Sequence, residues 1–498
     1  MFLGFDIGSS GVKAVLLDPR RGILAAASRE VALHSPAAGW AEADSGDWWS
    51  AAAALVPELL SAAGAEAAAV EGVAAAGMVP ALLPLDADGR PLRPAILQND
   101  ARAAAEVAEL RERLATAGLL ERTGSALSQQ SIAPTLLWLR RHEPETFLAT
   151  ASLAGSYDWL AQRLGAEPHL ERNWAIESGL FELGGDLAGD VIEAAGASPA
   201  LLPPVREPGE PVGRVGGPAA AATGLRPGTP IFAGLADHVS SAYGAGLLDP
   251  GEALVKLGGA GDVLVAAAEP LVDPRLYLDA HPLPSRWLPN GCMATSGSLV
   301  RWLQRLAGDE DLARLDDAAG AVEPGAEGVV CLPYFLGEKS PLHDPDQRGA
   351  FVGLHLAHGV PHLYRAVLEA VAFGFRHHFD VFAEIGIEVG EVRVTNGGSR
   401  STLWKQIIAD VLGRPLRPVV DHPGASLGAA MAAAVGAGAA AWEDVAGLVE
   451  LGQAIEPHAA NRERYDELYE IYRGLEPALR PFAHRLAAAS AASAEEAA

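Results

Sequence analysis

Cysteine is almost missing from this chain: Cys292 and Cys331 are the only two in 498 residues. Two thiols cannot frame a disulfide-stapled fold or a cysteine metal site, and they fit a reducing, cytoplasmic setting. Long apolar runs are missing too. The alanine-rich stretches are short and broken by glycine or charge, which argues against a membrane-spanning helix. No basic leader precedes the first apolar run, so a signal peptide is not expected. Basic residues are scarce: 37 Lys and Arg stand against 63 Asp and Glu, a formal net charge of −26. With no Lys/Arg block, the chain lacks the surface that a nucleic-acid backbone requires. An anionic substrate would have to be held by local donors and a metal ion against this field, which favours magnesium-dependent chemistry.

What is present is globular. Hydrophobic residues make up 49% of the chain, and the length allows two or three domains. Two β-prone runs, Phe2 to Ile7 and Val12 to Leu17, flank Gly8-Ser9-Ser10-Gly11, which reads as a tight hairpin. Glycine permits positive φ in such a turn, and successive N–H groups can then cradle an anion. Ser9 and Ser10 add hydroxyls, Lys13 adds positive charge, and Asp6 is placed to hold Mg²⁺ directly or through water. An ordinary N-terminal hairpin would look the same. The design recurs, however, at Ala253 to Val265 around Gly258-Gly259-Ala260-Gly261. Two such hairpins heading comparable halves point to a duplicated α/β architecture with a nucleotide between them.

Between the hairpins, Asp44 or Ser45 can cap a helix with Trp49, Ala53, Leu55, Leu59 and Leu60 on its apolar face, ended by Gly64. Val70 to Met78 reads as a buried strand, and Ala81 to Leu97 as a hairpin turning at Asp88-Gly89. Gln98-Asn99-Asp100-Ala101-Arg102 follows at a strand end, where a polar ligand can bind, although Asp100 could equally cap a helix over 101–117. Pro203 to Arg226, rich in proline and glycine, reads as loop. Ile231 to Gly234 is a strand delivering Asp237-His238 to a small-residue helix. Asp237 is either that helix's cap or a general base that takes a proton from an attacking hydroxyl, and the two roles are compatible. Later, Asn396-Gly397-Gly398-Ser399-Arg400-Ser401 links a strand to a helix capped by Ser401, a place where a ligand can approach the backbone. The alanine-rich segment 486–498 is expected to be disordered.

Several stretches together resemble the FGGY carbohydrate kinases, most closely the xylulokinase group. They are Asp6-x-Gly8-Ser9-Ser10-x-x-Lys13, Gly39-Trp40-x-Glu42, Gly337 to Pro341, Gly349-x-Phe351-x-Gly353-Leu354, Asn396 to Asp410, and Gly424 to Ala430. They run in family order over most of the chain. The resemblance implies an α/β fold of two actin-like (ribonuclease H-like) domains, 1–246 and 247–485, with ATP and sugar in the cleft between them. It assigns the catalytic base to Asp237 and magnesium to Asp6. Phosphate contacts fall to Gly8, Ser9, Ser10, Lys13, Gly258, Gly259 and Gly261, and adenosine contacts to Gly397 and Gly398 beside Ser401. Met78, Val79, Gln98, Asp100, Asp237 and His238 would face the sugar. A homodimer is the family's expectation.

The chain departs from the xylulokinase pattern at the sugar. Val79 stands where that group has histidine, Gln98 where it has tryptophan, His238 where it has asparagine, Gly259 in place of threonine, and Thr135 in place of a lysine near Trp138. The expected activity is ATP-dependent phosphorylation of a small ketose or polyol, a pentulose such as xylulose first among them. The departures at 79 and 98 imply that D-xylulose is not clearly the best substrate, unless His238 or Gln130 restores the lost contacts. The other class to weigh is an actin-like ATPase or sensor without a sugar acceptor, which would hydrolyse ATP with no sugar stimulation.

Overall fold

The computed structural model describes residues 1–37, 39–116, 118–308 and 311–497, with 491–497 as backbone only. Two sheets dominate it, and each begins with one of the two hairpins. β1 (Phe2–Ile7) and β2 (Gly11–Asp18) pair antiparallel with Asp6 opposite Lys13. β3 (Gly22–Glu30) lies antiparallel on β2, and β4 (Gly72–Gly77) runs parallel to β1 on its other side. Outside β4 come β6 (Pro230–Phe232), then the edge strand β5 (Pro211–Arg214), while β7 (Leu235–Ala236) also pairs with β4.

The second sheet repeats the plan. β8 (Ala253–Leu257) and β9 (Gly261–Val265) pair antiparallel with Lys256 opposite Asp262. β11 (Trp287–Met293) lies antiparallel on β9 with β10 (Tyr277–Ala280) beyond it. β12 (Val392–Thr395) runs parallel to β8, followed by β13 (Leu416–Pro418). The central strands β1, β4 and β8 are mostly small or apolar residues because both faces are covered. Each sheet has its own hydrophobic core.

Local signals set most helices. In α1 (Ser45–Ala63) the Asp44 carboxylate accepts the Gly46 N–H at 2.7 Å, and Gly64 closes the helix at φ 59°. Trp48, rather than Trp49, is the fully buried ring of that helix. The helices that bear on the site are α2 (Arg172–Ser178), α3 (Asp237–Gly244), α4 (Gly297–Ala307), α5 (Val360–Glu384), α6 (Thr402–Leu412) and α7 (Ala425–Gly436).

Four expectations change. Residues 203–226 are not a plain loop: they carry β5 and a short helix, Gly217–Thr223. Pro211 opens an edge strand, where a missing N–H costs no ladder bond. The hairpin read over 81–97 keeps its Asp88-Gly89 turn, but Leu83–Leu85 pairs with Ser152–Ala154 and Ala95–Ile96 with Glu42–Ala43. The helix expected over 101–117 spans only Ala104–Arg113, and residue 117 lies outside the described residues. The last helix, α8 (Arg462–Ala497), continues through the segment expected to be disordered from 486, and residue 498 lies outside the described residues.

The division at 246/247 is also crossed. α7 lies on β1, β2 and β4 and against α3, so a helix from the second half completes the first core. Small residues permit this. A Cβ on Gly4 would come within 2.2 Å of the Ser426 carbonyl oxygen, and one on Gly428 within 2.4 Å of Ser240 Oγ.

Candidate active site

The parallel strands β1, β4 and β7 end on the same side of the first sheet, which is where α/β sheets hold ligands. Asp6 comes at the end of β1, Met78 just after β4 and Asp237 just after β7. With the turn 8–11, Lys13, Gln98 and Ser28 to Glu30 of β3, they line one cavity of about 410 Å³. Asp6, Gly8, Ser9, Ser10, Lys13, Met78, Gln98 and Asp237 thus share one cavity.

Asp237 is the first residue of α3, one place inside the cap position, which Ala236 takes. Its Oδ1 accepts the His238 N–H at 2.7 Å, and its side chain is 37% exposed, open to the cleft. Asp6 is held back from ionising, its pKa pushed up to about 6 by burial first and the negative charge of Asp237 second. Lys13, Lys256 and the Ala425 N–H act in the opposite direction.

Lys256, which its sequence context does not single out, lies close enough to Asp237 and Asp6 to interact with both charges. Its Nζ lies 3.3 Å from Asp262 Oδ2. Burial opposes its charge, but Asp262, Asp237 and Asp6 together raise its pKa. Aligning the two hairpins on Gly8 and Gly258 would have found it. The position two before the glycine is Asp6 in one and Lys256 in the other, each facing an opposite charge across its ladder.

The turns differ from expectation in detail. None of Gly8, Gly11, Gly258, Gly259, Gly261, Gly397 and Gly398 takes positive φ; the left-handed residue is Asn396, at φ 72°. Closeness is the reason for glycine at several of them. The Gly258 and Gly259 carbonyls accept N–H bonds from Gly297 and Ser296 at the start of α4, both at 2.8 Å. A Cβ on Gly261 would press on Phe375, and one on Gly398 on Trp404 and Leu257. Gly397 and Gly259 have open space around them. Ser401 Oγ accepts the Trp404 N–H at 3.0 Å, so it caps α6 as read.

On the sugar side the residues separate. Gln98 Oε1 is buried with no donor. Asp100 is withdrawn: its carboxylate takes the Ala41 N–H at 2.6 Å and three bonds from Arg102. Arg102 is stacked 3.8 Å over the Trp40 ring, and Glu42 joins it to Arg93. The Gly39-Trp40-x-Glu42 motif thus anchors a buried ion cluster behind the cleft wall. Val79 is buried and is not among the residues lining the cavity. His238 is not the surface residue that a plain helix start would leave. Its Nδ1 is 3.3 Å from Asp237 Oδ1 and its Nε2 2.7 Å from Asp279 Oδ2, so neither nitrogen is free for a sugar.

Comparison with known families decides what this cleft belongs to. Residues 1–244 match the N-terminal domain of the FGGY family of carbohydrate kinases, and residues 254–437 match its C-terminal domain. The chain belongs to this family. Xylulose kinase of Escherichia coli is 31% identical, with 97% of this chain and 99% of the relative covered. Xylulose kinase of Bacillus subtilis is 29% identical, covering 95% and 96%. The crystal structure of xylulose kinase from Rhodospirillum rubrum matches at 43% identity and a TM-score of 0.90, covering 97% of this chain and 99% of that one. The FGGY chain is therefore a sugar kinase with the two-domain, actin-like fold, and its family uses ATP as phosphoryl donor, typically with a divalent metal. Among the described residues no helix is long and apolar enough to cross a membrane.

Proposed function

We propose that this kinase transfers the γ-phosphoryl group of ATP to a hydroxyl of a 2-ketopentose of the xylulose type, with Asp237 as the general base. The observation that carries this reading is the position of Asp237, exposed at the rim of the cavity that Asp6 and the first hairpin line. The sugar hydroxyl gives its proton to Asp237 as its oxygen bonds to the γ-phosphorus and the bridging bond to ADP breaks. Gly8, Ser9, Ser10 and Lys13 serve the phosphates from the first half, and Lys256 with the open Gly259 from the second. Gly397 lies on the adenosine side, with Gly398 and Ser401 shaping the turn beneath it. Asp6 fits a Mg²⁺ site: it is a hard oxygen ligand whose ionised form is crowded by Asp237, a repulsion that a divalent cation relieves. A bound metal would supply charge neutralisation at the phosphates.

Support for a pentulose comes from the xylulose kinases among the relatives and from Gln98, whose unpartnered Oε1 suits a sugar hydroxyl donor. The burial of Val79 removes one of the two grounds for expecting a preference away from D-xylulose; Gln98 remains the other. An ADP-coupled assay over D-xylulose, L-xylulose, D-ribulose, glycerol and no sugar tests the proposal. ADP release should depend on a pentulose, and Asp237→Asn should lower turnover by about two to four orders of magnitude while ATP binding persists. ADP release unaffected by sugar would favour the ATPase reading. Near-normal turnover of Asp237→Asn would return that residue to a helix-terminal role.

A further inference from the structure

We propose that Asp237 is the open end of a buried chain, Asp237–His238–Asp279 closed by Glu177, in which His238 is a positioning residue that orients the base. The inference rests on the reading of Asp237 as the base. Both ring nitrogens of His238 face carboxylate oxygens: Nδ1 lies 3.3 Å from Asp237 Oδ1, and Nε2 lies 2.7 Å from Asp279 Oδ2 and 3.6 Å from Glu177 Oε1. Against ionised carboxylates a neutral imidazole would set a lone pair on one of these oxygens, so this pair of contacts favours the doubly protonated ring. Asn290 Nδ2 donates to the same Asp279 oxygen at 2.7 Å, which fixes the far end. Asp279 is wholly buried and the Glu177 side chain is 9% exposed.

Two oxygens in this cluster lack a donor, Asp279 Oδ1 and Glu177 Oε1. One proton held by Glu177 and shared with Asp279 satisfies both. Titration tendencies agree. Burial acts against the His238 charge, yet Asp279, Asp237 and Glu177 outweigh it and raise its pKa, while burial and then Asp279 raise that of Glu177. The ligand atoms of Glu177, His238 and Asp279 all lie within 4.8 Å of one another. A cation there would have to displace the Nε2 proton already bound to Asp279.

The chain also joins the halves: α2 and α3 supply Glu177 and His238, and β10 and β11 supply Asp279 and Asn290. Among the described residues the other charged or titratable groups facing it are Asp6 and Lys256 toward Asp237, Asp262 toward His238, Glu171 toward Asp279, and Lys339 and the Tyr157 and Tyr277 phenols toward Glu177. The imidazolium therefore touches Asp237 at its inner oxygen and leaves the other facing the cleft.

The test uses His238→Asn, which keeps a donor toward Asp237 without the charge, and Asp279→Asn, which removes the charge that holds the imidazolium. The readouts are kcat and both KM values. Expected are a roughly ten- to hundred-fold fall in kcat with the KM for ATP within about twofold. The KM for the sugar should change little, because His238 has both ring nitrogens on carboxylates and acts only through Asp237. A wild-type kcat in His238→Asn overturns the proposal, and so does a fall in kcat accompanied by raised KM values for both substrates, the mark of a general packing defect. His238→Asn decides alone if Asp279→Asn does not fold. Asp237→Asn separates the two failures. If it stays active, the base reading fails and the chain with it; if it is inactive while the His238 variant behaves as wild type, only the chain is overturned.

Discussion

At the scale of single residues, the polar groups around the site differ in how fully their neighbours satisfy them. Gln98 is the clearest case, because its Oε1 is buried, has no donor, and belongs to a residue on the cavity wall. A buried acceptor without a donor costs about 1–3 kcal/mol, which a sugar hydroxyl would recover once the amide turns toward the cavity. Gln98→Leu should therefore raise the KM for sugar by roughly ten- to hundred-fold while leaving the KM for ATP unchanged. Steady-state kinetics with each substrate varied in turn checks this, and an unaltered sugar KM would mean that the amide serves packing alone. Asp100, two residues on, shows the opposite condition. Its acceptor positions are already filled by Ala41 and Arg102, so it supports the wall rather than the ligand.

At the scale of elements, the decisive contact is α7 laid on β1. Its first turns reach Gly4 so closely that no side chain fits there: backbone atoms Ser426 O and Ala430 N would lie 2.2 and 2.4 Å from an added Cβ. Backbone cannot rotate away as a flexible side chain can. Gly4→Ala should accordingly cost about 3 kcal/mol or more, the upper range for overpacking. Gly184→Ala, where an added Cβ meets nothing within 4 Å, serves as control and should change stability by less than about 0.5 kcal/mol. Thermal unfolding of the two variants beside the wild type decides it. Equal melting temperatures would mean that α7 shifts freely on the sheet. Because α7 starts beside Asp6, whose carboxylate is influenced by the Ala425 N–H, loosening this contact should also disturb the cleft.

At the scale of the whole molecule, an acidic chain buries some carboxyls that it cannot readily ionise. Glu338 is pushed up to about 8 by burial first, against the Ala294 and Lys339 N–H groups and the Lys339 charge. Its folded pKa lies above the unfolded value, so the folded state keeps a proton that the unfolded chain sheds. The associated stability is present below about pH 4.5 and is lost progressively as pH rises to about 8. At about 1.4 kcal/mol per pKa unit, the loss amounts to a few kcal/mol. Glu338→Gln keeps the oxygen that accepts the Ala294 N–H at 2.7 Å and does not titrate. Its stability relative to wild type should rise between about pH 5 and 8. Denaturation of both proteins at about pH 5, 6.5 and 8 measures the difference, and parallel pH dependence would refute the assignment.

Much of this protein is determined locally. Alternating and continuous apolar runs around glycine turns specify both hairpins, Asp44 and Gly64 bound α1, and Ser401 caps α6, all through contacts within a few residues. The same local logic places Asp6, the first turn and Asp237 at strand ends, so the open side of the site is legible before any folding is known. Only the tertiary structure decides the rest. Nothing near residue 177, 238 or 279 announces that Glu177, His238 and Asp279 meet, because they come from two helices and a strand in different halves. Likewise Asp100 is spent on Arg102 and Ala41, Val79 turns into the core, and α7 crosses to the first sheet. Local patterns record which face of an element is buried. They do not record which distant charge or backbone will be waiting there, and that pairing is set by the low tolerance of a close-packed interior for voids and unpaired polar groups.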